Sequence, residues 1–263
     1  MALYPLLMTW NEASGTVSQA FDDWKWNDRE NRAFLRLSAQ WSDNAYQQTW
    51  DEAEESFAAR FDPDRHYADE HLDLFEDAVD GLWPHSYAWI AEASVVKNAV
   101  TAFVVYLEKA LQEALGSSLT LEGNKHTIRL TTPPKFESPG WKTLVTAHKV
   151  LGAEVETDEV KWARDLRHLL THQNGELRSE DALARFRDLD AERDQDEINR
   201  ARIGGKVPLG VPRVQKILDS LAAVIRMADA PAWAMCWSPT GRERWPEVMT
   251  KLYEQKCIVV EPV

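Results

Sequence analysis

The stretch from about His85 to Leu115 constrains the fold of this chain more than any other segment. Its apolar residues recur at spacings of three and four, which predicts one long helix. They are Trp89, Ala93, Val96, Val100, Phe103, Leu107, Leu111 and Leu115. Val95, Val104 and Val105 widen the apolar surface beyond one stripe. We therefore expect this helix to lie at the centre of its domain or at a contact between subunits.

Further helices are predicted on both sides of this segment. One spans Trp141 to Leu151 and stops at Gly152, and another starts at Thr157, a good N-cap, and ends near Asn174-Gly175. Val211 to Met227 is amphipathic as well, and residues 16–60 are interpreted as two amphipathic helices. A short hairpin fits residues 117–140. Because strand signals are few, the predicted fold class is mainly α.

The net charge of −13 argues at first against a nucleic-acid partner. However, residues 1–80 hold 18 Asp/Glu against 6 Lys/Arg, whereas residues 81–263 hold 25 against 24. The acidity thus belongs to the N-terminal third, and the remainder can still carry a local basic site. An attractive hypothesis is that the acidic region covers such a site by mimicking phosphate, although it can equally complete a core.

Three regions follow from these patterns. Residues 1–80 form an acidic, Trp-rich helical region, and residues 81–235 form a helical bundle with a charged insertion at 176–206. Residues 236–263 form a tail that we expect to pack on the bundle. Trp233, Trp237 and Trp245, which follow Pro231, are expected to pack inward. The Trp residues are interpreted as core rather than as a base-stacking platform, because they are not interleaved with Lys and Arg.

The cellular location of the protein is predicted from three features that the sequence lacks: a cysteine motif, a signal segment and a membrane-spanning run. The two cysteines, Cys236 and Cys257, have no CxxC spacing, which favours a reducing compartment. The N-terminus has no basic segment before its apolar residues, and the run Ala99 to Leu107 is about half of a membrane-spanning length. A cytoplasmic protein without a membrane partner is therefore predicted.

The segment with the most chemical potential places Arg167, His168 and His172 on the last turns of one helix. Arginine can fork onto phosphate oxygens, and histidine exchanges a proton near neutral pH. Attack of a ribose 2′-hydroxyl on its phosphate needs those two functions and no metal. Arg167 and His172 are five residues apart, roughly 140° around a helix, so a two-fold dimer is the simplest way to bring both into one cleft.

The pattern Arg-polar-x-x-x-His, present as Arg167 to His172, resembles the signature of the HEPN ribonuclease family. The resemblance extends over about residues 85–230, where helices match the family's four-helix bundle and Gly175 follows the histidine. It implies a homodimer with a composite, metal-independent endoribonuclease site. His172 would then be the general base or acid, Arg167 would stabilise the phosphorane, and His168 would support them.

The resemblance also implies an RNA substrate (tRNA, mRNA or rRNA) and a toxin or antiviral role, with an antitoxin or regulatory protein as a further partner. Arg164 and Asn174 are expected to contact the RNA. Some toxin members carry a modified Tyr two residues after the histidine, where this chain has Asn174, so that form of control is not expected. The alternative is a non-catalytic HEPN-like dimer that binds RNA, a nucleotide or a protein.

The sequence gives little support to two other chemistries, a zinc site and a P-loop. His168 and His172 are spaced like a helical zinc pair, but Leu169 replaces the glutamate of the zinc proteases and only His126 or His148 could supply a third ligand. Gly204-Gly205-Lys206 lacks the other residues of a P-loop, since Arg200 and Val207 stand in their places. No metal and no cofactor are therefore expected.

Overall fold

The computed structural model describes residues 17–60, 84–116, 119–121, 124–187 and 201–262. Parts of the acidic region (1–16 and 61–80) and of the charged insertion (188–200) lie outside them. Within the described ranges the helices are α1 (Gln19–Arg60), α2 (Pro84–Leu115), α3 (Trp141–Leu151), α4 (Asp158–His172), α5 (Glu180–Arg187), α6 (Val211–Trp237) and α7 (Pro239–Glu254). The strands are β1 (Leu119–Leu121), β2 (Asn124–Leu130) and β3 (Ile258–Pro262). The mainly helical class is confirmed.

Helix α1 differs from the prediction of two helices within residues 16–60, because Gln19–Arg60 forms one helix of 42 residues. No glycine or proline occurs between Gln19 and Arg60, so nothing in the local sequence forces a break. Ser38, Ser42 and Asn44 weaken helix propensity only slightly, and they are tolerated inside the helix.

The chain divides into two compact units, and each combines separate stretches of sequence. Unit 1 comprises Met1–Asp28, Val100–Trp162 and Asp219–Val263, and unit 2 comprises Arg29–Ala99 and Ala163–Leu218. Helices α1, α2, α4 and α6 each contribute residues to both units. The sequential boundaries at residues 80 and 235 remain a prediction.

In unit 1 the start of α1 is tied to a buried carboxylate. The backbone N–H and the hydroxyl of Ser18 both donate to Asp229, the former at 3.1 Å, and the Tyr106 hydroxyl donates to the same carboxylate at 3.1 Å. Burial raises the pKa of Asp229, against the lowering effect of the Ser18 hydrogen bonds. Since Phe21 and Trp24 are buried as well, removal of residues 1–80 would open the core of this unit.

The three strands, all in unit 1, form an antiparallel sheet in the order β1-β2-β3. The predicted hairpin is confirmed as β1 and β2, which pair Leu119 with His126. The C-terminal strand was not predicted, and it pairs Ile258 with Leu130. Trp237, expected to pack inward, is 61% exposed, so that expectation is wrong.

Among the described residues, Tyr87–Leu115 is the one segment that meets the length and hydropathy of a membrane span. Half of its most apolar window is buried within the molecule, as in the core helix of a soluble protein. This helix therefore does not test the predicted location of the protein, which stays a prediction.

Candidate functional site

Helix α4 carries the predicted site, and its ends follow from local sequence. The Thr157 hydroxyl accepts the N–H of Val160 at 3.3 Å, which confirms the predicted N-cap. Asp158 and Glu159 occupy the first turn, where negative charge is favourable. The helix ends at His172, followed by Asn174 in the left-handed region with φ 51°.

The amphipathic pattern of α4 determines which side chains reach solvent in unit 2. Leu166, Leu169 and Leu170 are buried, whereas Arg167, His168 and His172 are all exposed. On a helix of 100° per residue, the three exposed residues span an arc of about 140°, with Arg167 and His172 at its two edges. The structure thus leaves the predicted catalytic residues accessible on one side of a single helix.

His168 and His172 are brought together, and Arg167 is not. The two imidazole rings lie 4.5 Å apart between centroids, with 47° between their planes. In the described part of the chain, no hydrogen bond or ion pair joins Arg167 to either histidine. A group that bridges Arg167 and His172 must therefore come from the substrate or from another copy of the chain.

The two residues expected to contact RNA lie at different places. Arg164 precedes His168 by one turn and is half-buried, with an interaction of its own within the chain. Asn174 is exposed and terminates the helix through its left-handed backbone. Both therefore flank the histidine pair in sequence, Arg164 within α4 and Asn174 just after the end of the helix.

Carboxylates close to this surface are held by cations of their own. Asp165 forms an ion pair with Arg185 of α5 at 2.8 Å. Glu176 forms one with Arg178 at 2.7 Å. Among the described residues, these two acids therefore pair with arginines other than Arg167.

The end of α4 is fixed by contacts that the sequence pattern did not predict. Residues 175–177 pair with residues 204–207, and we call this pairing the anchor. Val207 N–H donates to the Gly175 carbonyl at 2.7 Å, and Leu177 N–H donates to the Gly205 carbonyl at 2.9 Å. The Trp89 indole N–H donates to the Val207 carbonyl at 2.8 Å. The segment that follows His172 is thereby connected to α2.

Gly175 is the residue of the anchor that lies closest to the Trp89 indole. It has φ +75°, and a Cβ built on it would lie 2.5 Å from Cζ2 of Trp89. The Lys206 ammonium lies 4.1 Å from the centroid of the same indole, within cation–π range. Gly204-Gly205-Lys206, which lacks the other residues of a P-loop, is therefore a structural part of the site. The pairing of Trp89 with a remote glycine has no local sequence signal.

Metal binding finds little support among the described residues, which contain no group of three or more His, Cys, Asp or Glu side chains placed to hold an ion. His148 is fully buried and donates from Nε2 to the Leu107 carbonyl at 2.9 Å. Burial lowers the pKa of His148 to about 4. This histidine is thus a neutral core residue in unit 1, and His126 lies on β2 of the same unit.

No family model, no curated protein and no solved structure matches this chain.

Proposed function

We propose that this chain is a metal-independent endoribonuclease of the HEPN type, acting as a homodimer in the cytoplasm. The proposal rests on one observation, the joint exposure of Arg167, His168 and His172 at the end of α4. Its substrate is RNA, whether tRNA, mRNA or rRNA. A toxin or antiphage role, with an antitoxin or another regulatory protein as partner, is the biological setting that fits such an activity.

The chemistry assigned to these residues is transesterification. His172 removes the proton of a ribose 2′-hydroxyl, whose oxygen attacks the adjacent phosphorus. Arg167 stabilises the extra negative charge on the phosphorane oxygens. The bond from phosphorus to the 5′-oxygen then breaks, and the leaving oxygen takes up a proton. The products are a 2′,3′-cyclic phosphate and a 5′-hydroxyl, and no metal or redox partner is required.

His168 has a supporting role in this scheme. Its ring lies 4.5 Å from that of His172, close enough to restrict the orientation of the neighbouring imidazole.

A two-fold partner completes the scheme. Arg167 and His172 lie at opposite edges of the exposed arc of α4, so one copy does not present both to a single phosphate. A symmetric neighbour places an arginine from one copy near a histidine from the other, because a two-fold axis repeats every contact. Arg164 and Asn174, which flank the histidine pair, are proposed to contact the RNA on either side of the cut.

The test is cleavage of total RNA and of a tRNA pool in the presence of EDTA. The parent is expected to cut, whereas His172→Ala and Arg167→Ala lose most of the activity. Arg244→Ala, which removes an exposed arginine from α7, is the matched control and is expected to cut like the parent. Products ending in a 2′,3′-cyclic phosphate would identify the mechanism. Full activity in both His172→Ala and Arg167→Ala would refute it.

A second function has one observation in its favour: in the described residues, no hydrogen bond or ion pair joins Arg167 to either histidine. It is a non-catalytic HEPN-like dimer that binds RNA, a nucleotide or a protein partner through the same surface. In that case the parent cuts no RNA, yet Arg167→Ala still lowers its affinity for RNA or for the partner. The same set of variants therefore separates the two functions.

A further inference from the structure

A segment of unit 2 carries positive charge only. Residues 201–218 contain four Lys/Arg and no Asp or Glu, although the whole chain has a net charge of −13. Arg202 and Lys206 are exposed, and they lie beside and within the anchor that follows α4. A local surplus of positive charge attracts a negatively charged ligand. We call Arg202, Gly204, Gly205 and Lys206 the basic turn.

The basic turn brings its two cations together around a glycine. Gly205 N–H donates to the Arg202 carbonyl at 3.0 Å, which closes the turn. A Cβ on Gly205 would lie 2.9 Å from Cγ of Arg202 and 3.6 Å from its Nε, so the Arg202 side chain lies against this glycine. A Cβ on Gly204, where φ is +78°, would meet no atom within 4 Å apart from its chain neighbours. The surface beside the two cations is therefore open in the described part of the chain.

Lys206 is held in place without being neutralised. Glu176 lies opposite Lys206 in the anchor, but the Glu176 carboxylate forms its ion pair with Arg178 at 2.7 Å. The Lys206 ammonium instead lies 4.1 Å from the centroid of the Trp89 indole. Such a cation–π contact retains the positive charge and restricts the side chain. Among the described residues, neither Arg202 nor Lys206 forms an ion pair with a carboxylate.

The basic turn lies close to the end of α4. Glu176 follows His172 by four residues, and four residues of chain span at most about 14 Å. The anchor bonds on either side make Glu176 and Lys206 a non-hydrogen-bonded pair, whose Cα atoms are about 4.5 Å apart. The backbones of His172 and Lys206 are therefore separated by at most about 19 Å. A stacked strand of nucleic acid covers that distance in about six nucleotides, at about 3.4 Å each.

We propose that the basic turn is a subsite for the RNA backbone outside the cleaved bond, where Arg202 and Lys206 each contact a phosphate. A single strand carries negative charge at every nucleotide, so it can occupy the α4 residues and the basic turn at once. Because Lys206 covers one face of the Trp89 indole, that face offers no platform for a base. Phosphate contacts do not read bases, so the subsite is expected to bind strands of any sequence.

This inference rests on the proposed function, because it takes RNA as the ligand, but the two can fail separately. Binding is measured with an RNA whose 2′-hydroxyls are methylated, so that no cut can occur. If the basic turn binds this RNA and unmodified RNA is not cut, the ribonuclease is refuted and the subsite is supported. If RNA is cut and loss of the two cations changes nothing, the subsite alone is refuted.

The experiment is fluorescence anisotropy of the full chain with a labelled single strand of about 12 nucleotides, twice the separation estimated above. Lys206→Met keeps an aliphatic stem over Trp89 and removes the charge, and Arg202→Gln likewise removes one charge. Each is expected to raise the Kd for RNA by about threefold to fivefold at low salt, and the double variant by roughly tenfold. Lys149→Met is the matched control, because Lys149 is an exposed lysine of α3 in unit 1, and it should leave the Kd unchanged. Circular dichroism verifies that each variant keeps its helical content.

Two further readouts separate a phosphate contact from a structural effect. The slope of log K against log salt should become shallower by about 0.7 for each cation removed, and by the same amount for strands of different sequence. Lys206→Arg retains the charge and should bind within about twofold of the parent, because a single phosphate contact needs a positive charge more than a particular shape. In cleavage, Lys206→Met should raise KM for the long strand and leave kcat unchanged, whereas a dinucleoside monophosphate, which cannot reach the basic turn, should be cut as by the parent.

Three outcomes would overturn the proposal. The first is a parent that does not bind single-stranded RNA at all. The second is a parent that binds RNA with a Kd that Lys206→Met and Arg202→Gln leave unchanged, or that Lys149→Met raises equally. The third is displacement of the RNA by polyglutamate of equal charge as readily as by unlabelled RNA, which would assign the basic turn to an acidic protein partner.

Discussion

Replacement of Gly175 by alanine tests whether the anchor holds the end of α4. A Cβ on this glycine would lie 2.5 Å from Cζ2 and 2.7 Å from Cη2 of Trp89, and 3.2 Å from Cδ2 of Leu170. Carbon atoms pack favourably at about 3.5–4.0 Å, so the overlap with the indole is about 1 Å. The indole cannot simply withdraw, because its N–H donates to the Val207 carbonyl at 2.8 Å.

The expected cost has two contributions. A non-glycine residue in the left-handed region, with φ +75°, costs about 1–2 kcal/mol. Overpacking against the indole adds about 1–3 kcal/mol. We therefore expect Gly175→Ala to lower the free energy of unfolding by roughly 2–5 kcal/mol, measured by urea denaturation. Because the shift occurs three residues after His172, RNA cleavage is expected to fall as well.

Gly116→Ala is the matched control for the backbone contribution. Gly116 has φ +71°, nearly the same as Gly175, but a Cβ there would meet no atom within 4 Å. It should therefore cost only about 1–2 kcal/mol. In a Trp89→Leu background the overlap is removed, and the excess cost of Gly175→Ala should disappear. If Gly175→Ala costs no more than Gly116→Ala in the parent, the packing argument is wrong.

Three other substitutions test the core and the anchor. His148, whose pKa burial lowers from 6.5 to about 4, remains neutral in the folded state while the unfolded chain takes up a proton below about pH 6.5. Stability should therefore fall by roughly 3 kcal/mol between pH 6.5 and 4, and His148→Leu should flatten that part of a pH series of urea melts. Trp89→Phe keeps a ring but leaves the Val207 carbonyl without its donor, which should cost about 1–3 kcal/mol; an unchanged melting temperature would contradict this. Ser18→Ala removes the side-chain cap of α1 and one hydrogen bond to Asp229, so the free energy of unfolding should fall by about 2 kcal/mol in thermal melts. Gln47→Ala, on the exposed part of the same helix, is the control and should cause no measurable loss.

The sequence was most informative where structure depends on near neighbours. The period of α2 predicted its bounds to within one residue, and Gly152 ends α3 in the left-handed conformation expected of it, with φ 103°. On α4, the helical spacing of the buried residues Leu166, Leu169 and Leu170 leaves Arg167 and His172 on the exposed face. In each case the residues that determine the outcome lie within one or two turns of each other.

Tertiary structure decided the features that join residues far apart in the chain. Strand β3 forms only because β2, more than 120 residues earlier, offers it an edge, and its own sequence is too short to reveal it. Trp89 has the same spacing as any core residue of α2, and only the folded chain places its indole against Gly175 and Val207. The exposure of Trp41 is likewise decided by tertiary structure, because an aromatic side chain is buried only where another element packs over it. Local patterns thus determined the bounds of α2 and α3 and the outward face of α4, whereas contacts between remote residues determined how the end of α4 is held.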